Sequence, residues 1–192
     1  MIHIASDSPQ FLKEALELGI ALSTEPRLDV LLHRVLGLAR ALSGAEAGTI
    51  FIREQQSLRF AAVQNDFLAR RFGEDEMGRR LQSEVVPLSI ASLCGHVAVT
   101  GNVVNIMDAY AVDESKGLGF YRKVDQKTGY VTCSVFAFPL RTYTGEVLGV
   151  LELLNRLDDN QVIIAFDPAH ESVLQWCASQ AAIAIAARSP AH

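Results

Sequence analysis

Residues 95–156 constrain the fold and function of this chain more than any other segment. They read as a short apolar helix, a long polar loop and two β-rich runs that a turn separates. This order of elements predicts a pocket with a roof. Because the segment pairs no nucleophile with a base, has no metal-ligand spacing and contains no phosphate-binding loop, we expect it to hold a small molecule rather than to transform one.

Length and charge limit the classes of partner. A chain of 192 residues with 49% hydrophobic content can bury the core of one domain. It has 17 basic and 22 acidic residues, and the net charge of -5 disfavours non-specific binding to nucleic acid or to an anionic membrane surface. We therefore expect small ligands or proteins as partners, with no nucleic acid and no membrane among them.

Three cysteines, Cys94, Cys133 and Cys177, are widely separated along the chain. Their spacing fits neither a disulfide framework nor a zinc site, and the histidines add no metal-ligand spacing, so we expect no metal. The first residues lack a basic region followed by an apolar stretch, and no apolar run reaches the ~20 residues that cross a bilayer. These features favour a reducing, cytoplasmic location.

Apolar periodicity predicts three long helices. Residues 8–22 follow a Ser-Pro start, residues 27–42 have the clearest helical repeat, and residues 169–187 begin after Asp-Pro and contain neither Gly nor Pro. The sequence Thr24-Glu25-Pro26 separates the first helix from the second. We therefore divide the chain into an N-terminal lead-in helix, 1–26, and a single domain, 27–190, that includes the C-terminal helix.

Two hairpins are predicted between the long helices, formed by residues 48–52 with 58–63 and by residues 131–140 with 146–154. Between the hairpins, residues 92–100 read as a short helix that Gly101 ends, and residues 103–106 read as a brief strand. The charged stretch 70–80 has no clear period and reads as a loop or a short helix. The order of elements indicates an α+β fold with an antiparallel sheet and terminal helices packed on one face.

A resemblance to a known family rests on three segments, which read GHVAVTGNVVNIMDAYA, FYRKVDQKTGYVTCSVFAFPL and GEVLGVLELLNR in this order. Over about residues 28–187 the chain resembles the GAF domain family, and within it the regulatory GAF domains of cyclic-nucleotide phosphodiesterases and of some bacterial adenylyl cyclases. The resemblance implies a central antiparallel sheet of about six strands. It also implies that the N- and C-terminal helices cover one face and that a helix-loop ligand pocket lies on the other.

The resemblance further implies which residues contact the ligand. They are Thr49 on the first strand, Leu93 and Cys94 at the start of the short helix, Asp108 and Tyr121 in the long loop, and Thr128, Thr132 and Glu152. Amides at a helix start favour an anionic phosphate, threonine hydroxyls can orient the phosphate or the ribose, and a glutamate can accept from a base or a ribose hydroxyl. The loop at 108–129 would close over a bound cyclic nucleotide, cAMP or cGMP.

Each of these contacts has an ordinary structural alternative. Glu152 interrupts an apolar strand, where it either meets a ligand or lies on the solvated face of an edge strand, since an unpaired buried carboxylate is costly. Thr128 and Thr132 are equally explained as turn and strand residues, and Tyr121 as a cover for the sheet. Cys94 reads as a helix-start residue that contributes its backbone, because no neighbouring Lys or Arg lowers the pKa of its thiol.

The family also has an Asn-Lys, Phe, Asp-Glu signature, which is thought to close the pocket through a lysine-aspartate ion pair. The corresponding positions of this chain are Asn155, Arg156, Phe166, His170 and Glu171. Arg156 replaces the lysine and His170 replaces the aspartate, so the ion pair cannot form as it does in the family. Asp158, Asp167 and Glu171 are the alternative partners for Arg156.

These observations favour a regulatory GAF domain that senses a cyclic nucleotide or a similar small molecule, has no catalysis of its own and signals to a linked effector domain. The alternative is a ligand-free GAF domain that serves as a dimerisation or protein-interaction module, which the altered pair at positions 156 and 170 favours. Enzymes with this fold rank third, because free-methionine-sulfoxide reductases depend on clustered cysteines. We expect a homodimer through the terminal helices.

Overall fold

An antiparallel β-sheet forms the centre of the computed structural model, which describes residues 8–82, 84–113 and 117–188. Its strands are β1 (Ala45–Glu54), β2 (Ser57–Asn65), β3 (Val85–Pro87), β4 (Val104–Ile106), β5 (Val135–Arg141), β6 (Val147–Leu157) and β7 (Ile163–Ile164). The strand order is β3-β2-β1-β6-β5-β4, and β7 pairs with β6 beside this path. The predicted α+β fold with an antiparallel sheet of about six strands is confirmed.

The helices among the described residues are α1 (Pro9–Thr24), α2 (Leu28–Ser43), α3 (Asp66–Phe72), α4 (Glu74–Gln82), α5 (Leu93–Thr100), α6 (Lys123–Thr128) and α7 (Glu171–Ala186), with 3-10 helices at Ala109–Ala111 and Pro168–His170. Local signals set their ends. The Ser8 hydroxyl accepts from the Phe11 amide at the start of α1, and Gly44 ends α2 with a left-handed φ of 73°. The predicted long helices are present to within a few residues.

One segment follows one of its two predicted alternatives, and another differs from its prediction. The charged stretch at 70–80 is helical, since it ends α3 and forms most of α4, whose acidic first turn and basic last turn suit the helix dipole. The strand expected from residue 131 begins at Val135. It starts late because the Val131 carbonyl and the Cys133 amide bond to the side chain of Asn155 instead of to a neighbouring strand.

One face of the sheet packs against α2 and α7, and α1 packs on these two helices. Phe136, Phe138 and Leu140 lie at alternate positions of β5 and are buried in this layer, where Leu151 and Leu153 of β6 join them. The helices contribute their apolar stripes, which include Leu31, Leu32, Val35, Leu174, Cys177 and Ala178. The terminal helices therefore share one face of the sheet, as predicted.

On the opposite face, several positions of β1, β5 and β6 carry small side chains, although Phe51 of β1 and Phe60 of β2 are large. Val135 and Ala137 of β5, Ala47 of β1 and Val150 of β6 are buried there. Helices α3, α4, α5 and α6 cover this face, and we call these four helices the roof. Because small side chains cannot fill the space that larger ones would occupy, a cavity remains between the sheet and the roof.

The lead-in helix α1 belongs to the same core as the rest of the chain. Leu18 and Ala21 are buried in the helical layer. The Phe11 ring packs edge-on against Trp176 of α7, with 5.9 Å between ring centroids. Arg188, after α7, donates to backbone carbonyls at the end of α1. The boundary at residue 26 therefore does not separate two independently packed units.

The predicted ranges 1–26 and 27–190 include residues 1–7, 189 and 190, which lie outside the described residues. None of the helices that the structure describes is long and apolar enough to cross a membrane.

The close packing of β6 on β1 gives a test of the fold. A Cβ atom at Gly149 would lie 2.0 Å from the Phe51 carbonyl oxygen, so Gly149→Ala requires the backbone to shift. We expect it to lower the free energy of unfolding by about 2 kcal/mol. Gly19→Ala is the matched control, because a Cβ at this helical glycine of α1 meets nothing within 4 Å. Its replacement should raise stability by up to about 1 kcal/mol. Urea unfolding measures both, and equal effects would contradict the described packing.

Candidate functional site

The cavity between the sheet and the roof is small. Its volume is about 70 Å³, which suits a few water molecules, whereas pockets for drug-sized ligands measure roughly 300–1,000 Å³. Strands β1, β2 and β6 contribute the floor, and all four roof helices contribute side chains. Two carboxylates, Asp125 and Glu152, line it, and the described lining includes no lysine, arginine or histidine.

Most of the predicted ligand contacts meet at this cavity. Those that line it are Thr49, Leu93, Cys94, Tyr121, Thr128, Thr132 and Glu152. Asp108 is the exception, because it is exposed and lies outside the lining. Its carboxylate accepts from the Tyr110 amide at 2.9 Å and so caps the 3-10 helix at Ala109–Ala111. The structure thus gives Asp108 a capping role.

Glu152 lies at the middle of the floor. Its strand, β6, runs between β1 and β5, so the edge-strand alternative is wrong. Its neighbours in the sheet are Thr49 on β1 and Ala137 on β5. Burial raises the pKa of Glu152 from 4.5 to about 7, the Cys94 hydrogen bond opposes this rise, and the Asp125 carboxylate adds to it. Near neutral pH this side chain can therefore either donate or accept a hydrogen bond.

Cys94 provides the partner that Glu152 needs. Its thiol donates to the Glu152 carboxylate, with 2.8 Å between Sγ and Oε1. Cys94 lies in the first turn of α5, which the Ser92 hydroxyl caps by accepting from the Gly95 amide. Burial and the adjacent Glu152 carboxylate raise the pKa of the Cys94 thiol. The expected inertness of the thiol agrees with this shift, but its side chain, beyond its backbone, contributes to the site.

Asp125, on α6, is the carboxylate of the described cavity lining that sequence reasoning missed. It is buried, and its carboxylate accepts from the Tyr110 hydroxyl at 2.9 Å, the Thr132 amide at 2.7 Å and the Thr132 hydroxyl at 2.9 Å. Burial, together with the hydrogen bond that the Tyr110 hydroxyl donates to Asp125, raises the pKa of Tyr110 to about 12. A signal existed, because Asp125 follows Tyr121 by four residues and precedes Thr128 by three, the spacing of one helix face.

Two threonine hydroxyls of the cavity have partners within the protein. Thr132 donates to Asp125, and Thr128 donates to the Val124 carbonyl at 2.8 Å. A ligand that uses either hydroxyl as a donor must displace one of these bonds, whereas each oxygen retains the capacity to accept.

Asn155 lies outside the cavity lining and makes contacts next to it. Its φ of 53° is left-handed, which asparagine tolerates better than most residues. Its side-chain oxygen accepts from the Cys133 amide at 2.7 Å, and its side-chain nitrogen donates to the Val131 carbonyl at 2.8 Å and the Tyr130 hydroxyl at 2.9 Å. These bonds fasten β6 to the segment that leads from α6 into β5.

The remaining motif positions do not rebuild the ion pair of the family. The Arg156 guanidinium donates to the Ala165 carbonyl at 3.1 Å and forms no ion pair with a carboxylate of the described residues. Asp158, Asp167 and Glu171 are therefore not its partners. Phe166 is buried, with its ring centroid 5.7 Å from that of Phe136. Glu171 is exposed at the start of α7, and His170 ends the preceding 3-10 helix.

The three cysteines do not form a cluster. Cys94 lies on the cavity side of the sheet and Cys177 is buried on the helical side. All three are free thiols. In the part of the chain that the structure describes, no group of three or more histidine, cysteine, aspartate or glutamate side chains could hold a metal ion.

The raised pKa of Glu152 predicts a pH-dependent stability. Below pH 4.5 the carboxyl is protonated in both states, and between pH 4.5 and 7 only the unfolded state loses the proton, so stability falls as pH rises through this window. Glu152→Gln cannot ionise, so its stability does not fall in this window. We expect its free energy of unfolding to exceed that of the original chain by up to about 3 kcal/mol at pH 8 and to equal it at pH 4.5. Urea unfolding at both pH values measures the difference. Glu146→Gln, at an exposed carboxylate, is the control, and a Glu152→Gln effect that does not change with pH would contradict the assignment.

Comparison with known proteins relates this geometry to a family. The model of the GAF domain matches residues 27–185. The cGMP-specific 3',5'-cyclic phosphodiesterase of Drosophila mojavensis is 27% identical over 164 residues, which cover 81% of this chain and 14% of that protein. The chain thus corresponds to a small part of this relative.

Solved structures share the fold. The GAF domain of the Acinetobacter phosphoenolpyruvate-protein phosphotransferase has a TM-score of 0.68 at 17% identity and covers 96% of this chain and 98% of its own. The free methionine-R-sulfoxide reductase of Neisseria meningitidis has a TM-score of 0.65 at 15% identity and covers 98% of this chain and 96% of its own. The family match over most of the sequence and the common architecture agree, and the chain belongs to the GAF domain family.

Proposed function

We propose that this chain is a regulatory, ligand-sensing domain with no catalysis of its own. The observation that carries the proposal is the convergence of Thr49, Cys94, Thr132 and Glu152 from three separate regions of the sequence on one cavity. A carboxyl group with a raised pKa in an apolar cavity is typical of a functional site. The scattered cysteines argue against chemistry of the reductase type.

Cyclic nucleotides, cAMP or cGMP, are the ligand class that we propose. The name of the Drosophila relative, a cGMP-specific phosphodiesterase, supports this class. Glu152 and Asp125 can accept from amino groups of a base or from a ribose hydroxyl. Since the described lining has no basic side chain, the phosphate would depend on the amides at the start of α5. The cavity must widen for a nucleotide to enter.

Calorimetric titration tests the ligand. We expect saturable heat with cGMP or cAMP and less or none with cyclic dinucleotides. Glu152→Ala should weaken binding about tenfold or more, because a hydrogen bond to a charged group is lost. Glu146→Ala, which removes an exposed carboxylate of the β5–β6 turn, should leave the affinity unchanged. Folded protein that gives no heat with any of these compounds would refute a nucleotide sensor.

A ligand-free interaction module is the second candidate. The observation that favours it is that the polar groups of the small cavity bond to one another, as Cys94 does to Glu152 and Thr132 to Asp125. In either function we propose a homodimer through the terminal helices. On α1, the side chains of Leu12, Leu16 and Ile20 are 59%, 62% and 65% exposed and follow one another at intervals of four residues, so they form an apolar stripe.

The stripe gives a test of the dimer. We expect light scattering to detect a dimer at micromolar concentration, and we expect Leu16→Glu to convert it to a monomer, because the substitution buries a charge in the interface. Val99→Glu is the matched control, since Val99 is 53% exposed on α5, on the other side of the sheet. A monomeric original chain, or equal effects of both substitutions, would exclude this interface.

We further propose that the domain acts within a longer cytoplasmic protein and transmits the state of the cavity to a linked effector domain. The family match to a small part of the phosphodiesterase relative supports this arrangement. The contacts of α1 with α7, and of α7 with the sheet, provide the physical connection.

A further inference from the structure

The cavity is too small for the ligand that it is proposed to hold. Its volume of about 70 Å³ compares with roughly 300–1,000 Å³ for pockets that hold drug-sized ligands. The floor is the centre of the sheet, where β1, β5 and β6 pair along most of their lengths. The hydrogen bonds of these strands hold the floor in place. Some part of the roof must therefore move to admit a ligand.

Helix α6 is the least firmly packed part of the roof. Its two buried residues are Asp125 and Thr128, both polar. Helix α5, by contrast, buries Leu93, Val97 and Ala98. Apolar burial provides most of the attachment energy of a surface helix, and the apolar contact of α6 comes from the half-buried Val124. Helix α6 therefore depends largely on hydrogen bonds and ion pairs to stay in place.

Two of these polar contacts join α6 to the neighbouring roof helices α3 and α4. The Arg71 guanidinium, at the end of α3, donates to the Thr128 carbonyl at 3.2 Å. Lys127 forms an ion pair with Glu84, just after α4. The Glu84 side chain is 13% exposed and that of Lys127 is 51% exposed, so solvent only partly screens the pair. We call these two contacts the seam.

Asp125 anchors α6 to other segments of the chain. Asp125 bonds to Thr132, which follows it by seven residues in the same chain, and to the Tyr110 hydroxyl. Gly129, with a φ of 73°, separates α6 from the segment that leads into β5 and can accept a change of backbone direction. The seam can thus break while the Asp125 side stays attached.

We propose that α6 is a gate to the cavity that opens at the seam by breaking the Lys127–Glu84 ion pair and the Arg71–Thr128 hydrogen bond. This gate serves the proposed ligand site, and in that sense the inference rests on the proposed function. Its opening is nevertheless a property of the protein alone. It can be measured without any ligand, so a failure of the gate and a failure of the ligand assignment are distinguishable.

Two buried thiols report on the opening. Cys94, on the roof helix α5, lines the cavity and bonds to Glu152 of the floor, so it reacts with a reagent only when the cavity opens. Cys177 is buried among helices on the other face and reacts only on global unfolding. In a Cys133→Ser background, iodoacetamide labelling followed by peptide mass spectrometry gives the two rates from the same sample. The ratio of the Cys94 rate to the Cys177 rate isolates local opening.

Seam variants test the gate. We expect Lys127→Gln and Arg71→Gln each to raise the Cys94 labelling rate about threefold to tenfold while the Cys177 rate stays constant. Arg79→Gln is the matched control, because Arg79 lies on α4 but pairs with Glu76 of the same helix. It should change neither rate. If Cys94 labelling is unchanged in the seam variants, rises equally in Arg79→Gln, or only follows Cys177, the gate is refuted. Faster Cys94 labelling in seam variants of a protein that binds no cyclic nucleotide would support the gate and refute cyclic nucleotides as the ligand.

Discussion

The burial of β5 and β6 on both faces is the constraint on which the rest of the structure depends. These central strands bury large side chains such as Phe136 and Phe138 against the terminal helices, and small ones such as Ala137 against the roof. The large side chains fill the space on the helical side, whereas the small ones leave a cavity on the roof side. Glu152 can lie at the floor because its neighbours across the sheet, Thr49 and Ala137, are small.

The two layers that cover the sheet are held by different forces. The helical layer has a continuous apolar core that reaches from α1 to α7. The part of the roof around α6 is fastened by polar side chains, chiefly Asp125 and Asn155, which each make three hydrogen bonds to neighbouring segments. Hydrogen bonds of this kind contribute about 1 kcal/mol each to net stability. The roof can therefore open at a smaller cost than the helical layer, which must stay intact to transmit a signal.

Periodic apolar patterns predict α2, α7 and both hairpins, because these elements bury the same face or faces at every repeat. The single acidic residue of β6 also predicts that Glu152 needs a partner, but that partner is 58 positions away, and no local pattern connects it to Cys94. Asp125 is missed because its segment reads as a loop, where charged residues are ordinary. Its spacing becomes informative only once α6 is known to be a helix. The capping role of Asp108 is not evident from the sequence, because a capping aspartate and a ligand-binding aspartate look alike there.

Glu152 makes the charge of the cavity adjustable by one proton. Its raised pKa of about 7 lies near neutral pH, so small changes in its surroundings alter its protonation. A ligand that brings negative charge beside it raises this pKa and takes up a proton from the buffer, whereas a ligand that brings positive charge lowers the pKa and releases one. The heat of binding then includes the ionisation heat of the buffer, with a sign that depends on the ligand. Titrations in two buffers of different ionisation enthalpy would thus show whether binding takes up or releases a proton. The direction indicates the sign of the ligand charge beside Glu152 before the structure of the complex is known.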